Sequence, residues 1–373
     1  MSEISLILLA AGSSSRFGLA TKKQWLRVGD KPLWLFVAKQ FEKIADFKEI
    51  IVVGDEAELG YMQNYADYIF VAGGKERQDS LKNALALATS EFVMTADAAR
   101  CCVDAECVKR VLSAKDKFDC VAPVTGVPDT TTLDGLYINR NNVKLIQTPQ
   151  ISKKDLLAEA LSKSAVFTDD SGAMKSAGFS VGFVEGSKKQ IKLTAKEDLA
   201  ALVCLKPPAK DTFCGIGFDT HAFLDGGFCV LGGVKITDEY GFKAHSDGDV
   251  LIHSVIDALL GAAGLGDIGE FFPDTNPKYK GVNSAKLLKV VVDMVRAVGY
   301  DISNIDMTVV AEKPKLFNTK SEIKRSLASI MELPLYKICV KATTSEKMGF
   351  VGRGEGVVVM SVASLKFFDW MDI

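Results

Sequence analysis

The sequence predicts an α/β doubly wound domain followed by a smaller α+β domain. Short apolar runs alternate with helix-like stretches through the first half of the chain, as is typical of a parallel sheet covered by helices. The segment 206–212 then ends any helix, because Pro207 and Pro208 cannot donate backbone hydrogen bonds. The 373 residues are enough for two domains that each bury a core, which we place at 1–205 and 213–373.

The predicted elements follow in chain order. In the first domain, strands are predicted at 4–11, 49–54, 91–96 and 179–185, and helices at 33–45, 78–89 and 195–205. The run at 4–11 is too short to span a bilayer and lacks a cationic leader, so we interpret it as a buried strand. The second domain is predicted to contain a strand near 213–218, a hairpin-like region at 226–236, helices near 249–263, 284–298 and 319–331, and strands at 304–311, 336–342 and 355–366.

Composition limits the classes of partner. The formal net charge of −2 and a pI near 6.0 provide no overall basic field, which disfavours a nucleic-acid partner. Eight cysteines occur without a C-x-x-C pair, and the adjacent Cys101 and Cys102 do not suit a disulfide framework. We therefore expect a protein of the reducing cytoplasm without a membrane partner.

Small residues and cations follow the first predicted strand. The segment 9–18 contains Gly12 and Arg16, and Lys23 follows shortly after. Glycine lets backbone N–H groups approach a polyphosphate, and the two cations would neutralise charge that grows as a phosphoryl bond breaks. The loop matches neither a P-loop nor a dinucleotide-binding turn, so on its own a plain tight turn explains it equally well.

Two further segments suit a nucleotide site. The run from Gly73 to Ser80 opens a predicted helix, where backbone N–H groups and Arg77 would hold a nucleotide. Asp97 lies at the carboxyl end of a predicted strand, the edge at which open α/β sheets bind ligands, and would hold Mg²⁺ against phosphates. An aspartate that caps the following turn is the alternative.

Together these segments resemble the 2-C-methyl-D-erythritol 4-phosphate cytidylyltransferase family over residues 4–203. The resemblance also rests on the runs 128–130, 147–150, 168–170 and 184–186, with Arg140 and Lys192. It implies that Arg16 and Lys23 stabilise the attacked α-phosphate of CTP, while the methylerythritol phosphate is held by Thr130, Arg140 and Lys192. CTP would be surrounded by Ala10, Ala11, Gly12, Gly73, Arg77 and Ser80. We place Lys23 rather than Lys22 in the site because Gln24 follows it, as in the family pattern.

All three histidines of the protein, His221, His245 and His253, lie within 33 residues after the predicted linker. Asp219 and His221 are two residues apart, so an extended segment projects both from one face. With His253 they offer one carboxylate and two imidazoles, a set that suits tetrahedral Zn²⁺ with an open position and also non-haem Fe(II). A lone histidine is more often a hydrogen-bonded, partly buried residue, but this clustering reverses that expectation. Asp249, one helical turn before His253, is a candidate to fix its tautomer.

Later segments complete the second predicted site. The loop 264–274 offers small and acidic residues to sugar hydroxyls, and the run 341–347 with Glu346 would hold a harder cation on a diphosphate. A polar turn explains that second run equally well in isolation. These segments, with Asp-x-His and Ala-His-Ser-Asp-Gly-Asp-Val, resemble the 2-C-methyl-D-erythritol 2,4-cyclodiphosphate synthase family over residues 213–368.

This second resemblance implies residue roles and an assembly. By it, zinc would be bound by Asp219, His221 and His253, the transition state would be stabilised by His245 and Thr344, and Glu346 would hold Mg²⁺ or Mn²⁺. The cytidine-diphosphate and substrate pocket would be lined by Asp267, Gly269, Phe272, Asp274, Ala311, Pro314, Lys315, Phe317, Thr343, Phe350 and Arg353. The implied homo-oligomer is a trimer with sites shared between subunits, and a dimer of the first domain stays open.

The two resemblances predict two reactions of isoprenoid-precursor synthesis. The first makes 4-diphosphocytidyl-2-C-methyl-D-erythritol and pyrophosphate from CTP, and the second closes the 2-phosphorylated form to the cyclodiphosphate and releases CMP. A kinase must act between them, and the sequence carries no kinase signature. Two rivals remain: a nucleotidyltransferase for another sugar or alditol phosphate, and a metal-stabilised binding module without turnover.

Overall fold

In a computed structural model of the chain, residues 3–162, 167–244 and 246–373 are described. They form two compact units, the first made of 1–207 with 370–373 and the second of 208–369. The last four residues thus belong to the first unit, whereas the domain expected from the sequence ran from 213 to 373. Trp370 explains this placement, because its buried indole Nε1–H donates a hydrogen bond to the carbonyl oxygen of Arg27 at 2.7 Å.

The first unit is built on a mixed sheet of eight strands with the order β10-β7-β11-β6-β1-β4-β5 and with β12 beside β7. The strands of this unit are β1 (Ile4–Leu9), β2 (Arg27–Val28), β3 (Lys31–Pro32), β4 (Glu49–Gly54), β5 (Ile69–Ala72), β6 (Phe92–Asp97), β7 (Cys120–Gly126), β8 (Thr131–Leu133), β9 (Leu136–Ile138), β10 (Lys144–Ile146), β11 (Gln150–Lys153) and β12 (Val181–Glu185).

Only part of this sheet is parallel. Strands β6, β1, β4 and β5 pair in parallel, as the alternating pattern predicted, and β12 is parallel to β7. Strands β10 and β11 run antiparallel to β7, and β11 runs antiparallel to β6. The expectation of a parallel sheet is therefore wrong at this edge. The segment 120–153 contains no α-helix between its strands, and the crossover between parallel neighbours is usually an α-helix.

Helices cover this sheet and bury its apolar side chains. They are α1 (Leu33–Glu42), α2 (Leu59–Met62), α3 (Arg77–Leu85), α4 (Ala105–Ser113), α5 (Lys154–Ser162) and α6 (Asp170–Ser176). The helices predicted at 33–45 and 78–89 are confirmed as α1 and α3. The helix predicted at 195–205 is instead a short 3-10 helix, Lys196–Ala201, which ends where Leu202 leaves the helical conformation with φ −92° and ψ 75°. None of the described helices is long and apolar enough to cross a membrane.

A disulfide joins Cys102 to Cys204 in the first unit. The adjacent cysteines were not expected to belong to a disulfide framework, and for Cys102 that expectation is wrong. Its partner lies 102 residues away in the sequence, a separation that local spacing does not reveal. Cys101 keeps a free, buried thiol.

The second unit has a five-stranded sheet with the order β16-β13-β19-β17-β18 and a separate two-stranded β14-β15 hairpin. Its strands are β13 (Thr212–Asp225), β14 (Cys229–Leu231), β15 (Val234–Thr237), β16 (Tyr240–Phe242), β17 (Tyr300–Val310), β18 (Ile338–Thr343) and β19 (Gly356–Phe367). Its helices are α7 (Val250–Ala263), α8 (Ile268–Phe271), α9 (Ser284–Ala297), α10 (Lys320–Met331) and α11 (Gly349–Gly352). The predicted hairpin and the three long helices are confirmed, within a few residues at their ends.

The two faces of β13 and β19 differ sharply. Helix α7 lies directly on one face, where a Cβ added to Gly217 would come within 1.7 Å of the carbonyl oxygen of Ser254. Side chains on the other face remain open to solvent, and this open sheet face includes Ile216, Phe218, Met360 and Val362. Ile216 is 76% exposed, which is unusual for a β-branched side chain in the middle of a central strand.

The close approach of α7 to β13 predicts that Gly217→Ala destabilises the second unit by roughly 2–4 kcal/mol, because the methyl group meets backbone atoms that cannot move independently. Urea denaturation followed by circular dichroism measures the change. The matched control is Gly261→Ala on the facing helix α7, where an added methyl group would have nothing within 4 Å. This variant should be neutral or slightly stabilising. Equal stability of both variants would contradict this packing.

Candidate active sites

A cavity of about 540 Å³ opens at the carboxyl ends of β1, β4 and β6 in the first unit. Its lining includes the predicted residues Ala10, Ala11, Gly12, Arg16, Lys23, Arg77, Ser80, Asp97 and Lys192. It also includes residues that the sequence reasoning did not assign, namely Ser13, Gln24, Gly74, Lys75, Glu76, Ala98 and Ala99. The glycine-rich loop, the start of α3 and the end of β6 thus meet around one space.

Gln24 holds the loop after β1 in place. Its side chain is 3% exposed, and its Nε2 donates a hydrogen bond to the carbonyl oxygen of Gly12 at 3.1 Å. Ser14 Oγ donates to Gln24 Oε1 at 3.1 Å and accepts from the backbone N–H of Lys23 at 3.1 Å. In the sequence, the only signal of this role was the position of Gln24 directly after two lysines. The sequence analysis used Gln24 only to choose between those lysines.

The structure separates the two adjacent lysines. Lys22 Nζ lies 2.8 Å from Asp55 Oδ2 and 2.6 Å from Glu58 Oε1. Lys23 lines the cavity, where its Nζ donates to the carbonyl oxygen of Leu193 at 3.4 Å. Burial, and next the charges of Lys192 and Arg16, lower the pKa of Lys23. Lys23 is therefore the lysine that faces the cavity, and an anion there would relieve the repulsion among the cations.

Asp97 is the acidic centre of this cationic cavity. Its Oδ2 accepts a hydrogen bond from Lys192 Nζ at 2.6 Å, and Arg77 Nε lies 3.5 Å from its Oδ1. Burial would raise the pKa of Asp97, but Arg77 and Lys192 outweigh it and hold the pKa below its ordinary value. The N–H groups of Ala98 and Arg100 donate to backbone carbonyls, so the Asp97 side chain does not cap the following turn.

Gly73 lies behind the cavity wall rather than in its lining. A Cβ at this position would come within 2.5 Å of Ala11 Cβ, so only glycine allows the loop before α3 to approach the loop after β1. The next residue, Gly74, lines the cavity, and its N–H donates to Ser80 Oγ at 3.0 Å.

Thr130 and Arg140 do not line this cavity. They flank the hairpin of β8 and β9, and both are exposed. The Arg140 guanidinium donates to the carbonyl oxygen of Pro128 within the same segment. We call this segment, residues 127–143, the arm; its large apolar side chains point into solvent, with Leu136 73% and Tyr137 82% exposed.

In the second unit, Asp219, His221 and His253 come together as predicted. His221 Nε2 and His253 Nδ1 lie 3.3 Å and 3.1 Å from the same oxygen, Asp219 Oδ2. The three ligand atoms all lie within 4.8 Å of one another, which suits binding to a single metal ion. Burial lowers the pKa of His221, so its imidazole is neutral at physiological pH and is able to bind a metal. His245 lies outside the described residues.

In each imidazole, a hydrogen bond holds the ring nitrogen that does not face Asp219. His221 Nδ1 lies 3.1 Å from the carbonyl oxygen of Gly248, and His253 Nε2 lies 3.0 Å from Ser284 Oγ. Ser284 Oγ in turn donates to Asp247 Oδ1 at 2.5 Å. The hypothesis that Asp249 orients His253 is wrong, because the Asp249 carboxylate is fully buried and accepts from three backbone N–H groups at the start of α7 and in the β14-β15 turn.

Two cavities in the described part of the second unit are lined by predicted site residues. The larger, about 660 Å³, contains His221 and His253 with the predicted Gly269, Phe272 and Asp274. Asp267 instead caps α8 by accepting the N–H of Glu270. The smaller, about 180 Å³, is lined by the predicted residues Ala311, Pro314, Lys315, Phe317, Thr343 and Thr344. Phe350 and Arg353 line neither cavity, and the Arg353 guanidinium instead pairs with the Glu355 carboxylate at 2.6 Å.

Glu346 lies beside Thr344, one of the residues that line the smaller cavity. Its Oε1 accepts a hydrogen bond from Thr344 Oγ1 at 2.9 Å.

The strand register separates the metal-ligand cluster from the smaller cavity. Thr220 on β13 is in register with Val358 on β19, Val310 on β17 and Thr343 on β18. His221 and Thr343 thus lie in adjacent rows of one sheet but three strand spacings apart, about 14 Å. Within one chain, His221 and Thr343 are therefore too far apart to contact the same small group.

Comparison with known proteins decides the family. Sequence profiles match residues 4–204 as 2-C-methyl-D-erythritol 4-phosphate cytidylyltransferase and residues 212–366 as the YgbB family. The chain is 50% identical over 371 residues to the bifunctional enzyme IspD/IspF of Aliarcobacter butzleri, with 99% of each chain covered. The chain belongs to the bifunctional IspD/IspF family.

Other IspD/IspF proteins agree over the whole length. The enzyme of Sulfurimonas denitrificans is 50% identical, with 99% of this chain and 96% of that protein covered. The solved structure of the bifunctional IspDF from Campylobacter jejuni is similar at a TM-score of 0.92 and 48% identity, covering 99% of this chain and 100% of the other.

The two activities expected from the sequence are confirmed by membership of the IspD/IspF family. The chain is a cytidylyltransferase that forms 4-diphosphocytidyl-2-C-methyl-D-erythritol and releases pyrophosphate. It is also a cyclodiphosphate synthase that acts on the 2-phosphorylated form and releases CMP. Both reactions belong to the methylerythritol phosphate route to isoprenoids.

The different surroundings of the two lysines predict different effects of their removal. Lys23→Ala should lower the rate of pyrophosphate release about 10²–10³-fold, because it removes a half-buried positive charge from the cavity. Lys22→Ala should leave that rate within about twofold and cost up to about 1 kcal/mol of stability, because Lys22 contacts Asp55 and Glu58 instead. A coupled pyrophosphate assay measures both, and the opposite ranking would contradict the assignment.

Proposed function

We propose that the cavity of the first unit binds CTP and aligns it with 2-C-methyl-D-erythritol 4-phosphate. The observation that carries the proposal is the convergence of cations on one open space, namely Arg16, Lys23, Arg77 and Lys192. Attack of one phosphate on another needs neutralised charge and alignment, without a covalent nucleophile. Arg16 and Lys23 would stabilise the α-phosphate, and Lys192 would hold the acceptor. CTP would be surrounded by Ala10, Ala11, Gly12, Gly73, Arg77 and Ser80.

Asp97 is the carboxylate that we propose as a ligand for Mg²⁺ or Mn²⁺ in this cavity. It lines the cavity, and its lowered pKa keeps it ionised, which suits a hard cation. When bound, the cation would neutralise charge on the triphosphate. Magnesium commonly takes only one or two protein carboxylates together with substrate phosphates, so Asp97 would suffice.

Thr130 and Arg140 would act in the cavity of a second subunit. Both residues lie on the exposed arm and do not line the cavity of their own chain. The arm also exposes apolar side chains, such as Leu133, Leu136 and Tyr137, which form a surface suited to burial against another protein subunit. A dimer in which each arm reaches its neighbour would bring these two polar groups to the acceptor phosphate.

The second unit would bind zinc through Asp219, His221 and His253. The donor set, one carboxylate and two imidazoles around a common point, fits Zn²⁺ with one position left for substrate. When bound, the zinc would polarise a substrate phosphate. Ser284 and Gly248 would hold the two imidazoles, and Glu346, beside Thr344, would bind Mg²⁺ or Mn²⁺ on the diphosphate. His245 and Thr344 would stabilise the transition state.

A trimer would complete the second site by joining two halves from different chains. The metal-ligand cluster and the pocket around Thr343 are about 14 Å apart in the sheet of a single chain. The open sheet face, with Ile216 and Phe218, offers an apolar surface for association. In the shared site, the metal-ligand cluster of one subunit would face the cytidine pocket of its neighbour. That pocket includes Ala311, Pro314, Lys315 and Phe317. Phe350 and Arg353 would also contribute to it.

The organisation of the chain follows from these assignments. We propose the cytidylyltransferase domain at 1–205, the linker at 206–212 and the synthase domain at 213–373, supported by the two matched profiles, with the last four residues, 370–373, packed as part of the first unit. The parallel part of the first sheet would be doubly wound, since its order β6-β1-β4-β5 changes direction at β1, where the cavity lies. Use of CTP and the free thiols of the chain favour the cytoplasm.

Phosphorus NMR of the purified full chain tests both assignments. One tube contains CTP, methylerythritol 4-phosphate and Mg²⁺, and should show pyrophosphate; the other contains the 2-phosphorylated cytidyl intermediate with Zn²⁺ and Mg²⁺, and should show CMP and a cyclic diphosphate. Replacement of CTP by UTP, or of the acceptor by other alditol phosphates, separates the rival nucleotidyltransferase. Faster turnover of a rival pair would overturn the substrate assignment.

Subunit complementation tests the shared second site. His253→Ala and Thr344→Ala should each be inactive as cyclodiphosphate synthases, yet a mixture refolded or exchanged at equal amounts should regain about one quarter of the wild-type activity, since random pairing joins two intact halves that often. The cytidylyltransferase activity of each variant is the control for folding. A mixture as inactive as its components would place the whole site within one chain.

Metal removal separates a catalytic from a structural metal. Chelation should abolish formation of the cyclodiphosphate while the urea midpoint of the second unit changes little, because α7 already packs on β13 through a large apolar core. Added Zn²⁺ should restore the activity. Unfolding of the second unit on chelation would instead support the rival in which the ligands only hold the fold.

A further inference from the structure

The Cys102–Cys204 disulfide joins the ends of two segments that form one wall of the cytidylyltransferase cavity. Cys102 follows the turn that begins at Asp97, and Cys204 follows the 3-10 helix Lys196–Ala201 that comes after Lys192. Upstream of the disulfide, the N–H of Leu193 donates to the carbonyl oxygen of Ala99 at 2.8 Å. The Arg100 guanidinium also donates to the carbonyl oxygen of Gln190 at 2.7 Å, so the disulfide is the covalent link in a set of contacts that join the two segments.

The positions of two cations in the cavity, Lys192 and Lys23, depend on contacts with these two segments. Lys192 Nζ reaches Asp97 Oδ2 at 2.6 Å from one segment to the other. Lys23 Nζ donates to the carbonyl oxygen of Leu193 at 3.4 Å. Separation of the two segments would therefore change the position of Lys192 and loosen the contact that holds Lys23, while the loop after β1 would keep its own hydrogen bonds through Gln24.

We propose that Cys102 and Cys204 form a reversible thiol–disulfide site that positions Lys192 and Lys23, so that cytidylyl transfer responds to the thiol redox state. The proposal rests on the roles assigned to Lys192 and Lys23 above. The partner is a low-molecular-weight disulfide of the glutathione class. A thiolate of the protein attacks it and releases one small thiol, and the second protein thiolate then displaces the other small thiol. The protein loses two electrons and two protons, and the small disulfide gains them as two thiols.

The surroundings single out this pair among the cysteines. The sulfurs of Cys101, Cys102 and Cys204 all lie within 4.8 Å of one another, so Cys101 is a potential competitor. Burial raises the pKa of the Cys101 thiol to about 12, which keeps it protonated and a poor nucleophile. Cys204 is half-buried, which gives a small disulfide access to this site. Cys214 and Cys339 are exposed, but they belong to the second unit.

The test compares the full-length chain equilibrated with reduced or oxidised glutathione. Peptide mapping should find Cys102 linked to Cys204 only in the oxidised sample. Reduction should lower kcat for pyrophosphate release about three- to tenfold, with little change in KM for CTP, because the groups around the nucleotide keep their own contacts. Formation of the cyclodiphosphate by the same chain should not change, which makes the second activity an internal control for folding.

Variants sharpen the comparison. Cys204→Ser and Cys204→Ala should have the kcat of the reduced chain under both conditions, whereas the double variant Cys214→Ser, Cys339→Ser should respond as the wild type does. Equal kcat in both redox states, a mapped link that involves Cys101 instead, or zinc retained by the reduced chain through Cys204 would overturn the proposal. Absence of pyrophosphate release in both states would overturn the proposed function, and the positioning role with it.

Discussion

Each of the two candidate active sites depends on one carboxylate that is surrounded by cations or by imidazoles. In the first unit, Asp97 stands at the end of β6 and binds Lys192 and Arg77, which would otherwise repel each other and the nearby Lys23. In the second unit, Asp219 lies between two imidazoles. Each carboxylate lowers the cost of burying several cations or metal-binding groups in a small volume, and the sheets serve to place that carboxylate at a strand end or edge.

The sequence was sufficient to predict those parts of the sites that are local in the chain. Asp219 and His221 alternate on one strand, so their shared direction follows from the geometry of an extended backbone. The choice of Lys23 over Lys22 rested on the neighbouring Gln24, and the buried hydrogen bonds of Gln24 now give a physical reason for that choice. Helices α1, α3, α7, α9 and α10 were equally visible, because each is long and bounded by clear breaks.

Features that depend on distant pairing were not predictable. The antiparallel β10 and β11, the Cys102–Cys204 disulfide and the burial of Asp249 each depend on where a remote segment returns. Thr130 and Arg140 show a related limit. Family resemblance assigns them to a substrate, yet neither motif nor spacing says which copy of the chain that substrate occupies. Similarly, short acidic segments such as the one at Asp267 carry the same residue types whether they cap a helix or bind a ligand.

The register of the second sheet has a consequence for how the enzyme behaves in dilute solution. His221 and Thr343 lie three strands apart in the sheet of one chain, so under the proposed assembly each chain would hold two halves of a site that only a neighbour completes. With the shared site proposed here, cyclodiphosphate formation would obey mass action, and specific activity would fall as the protein concentration drops toward the dissociation constant of the assembly. A small molecule wedged between subunits would then inhibit the enzyme without touching a metal ligand or the nucleotide.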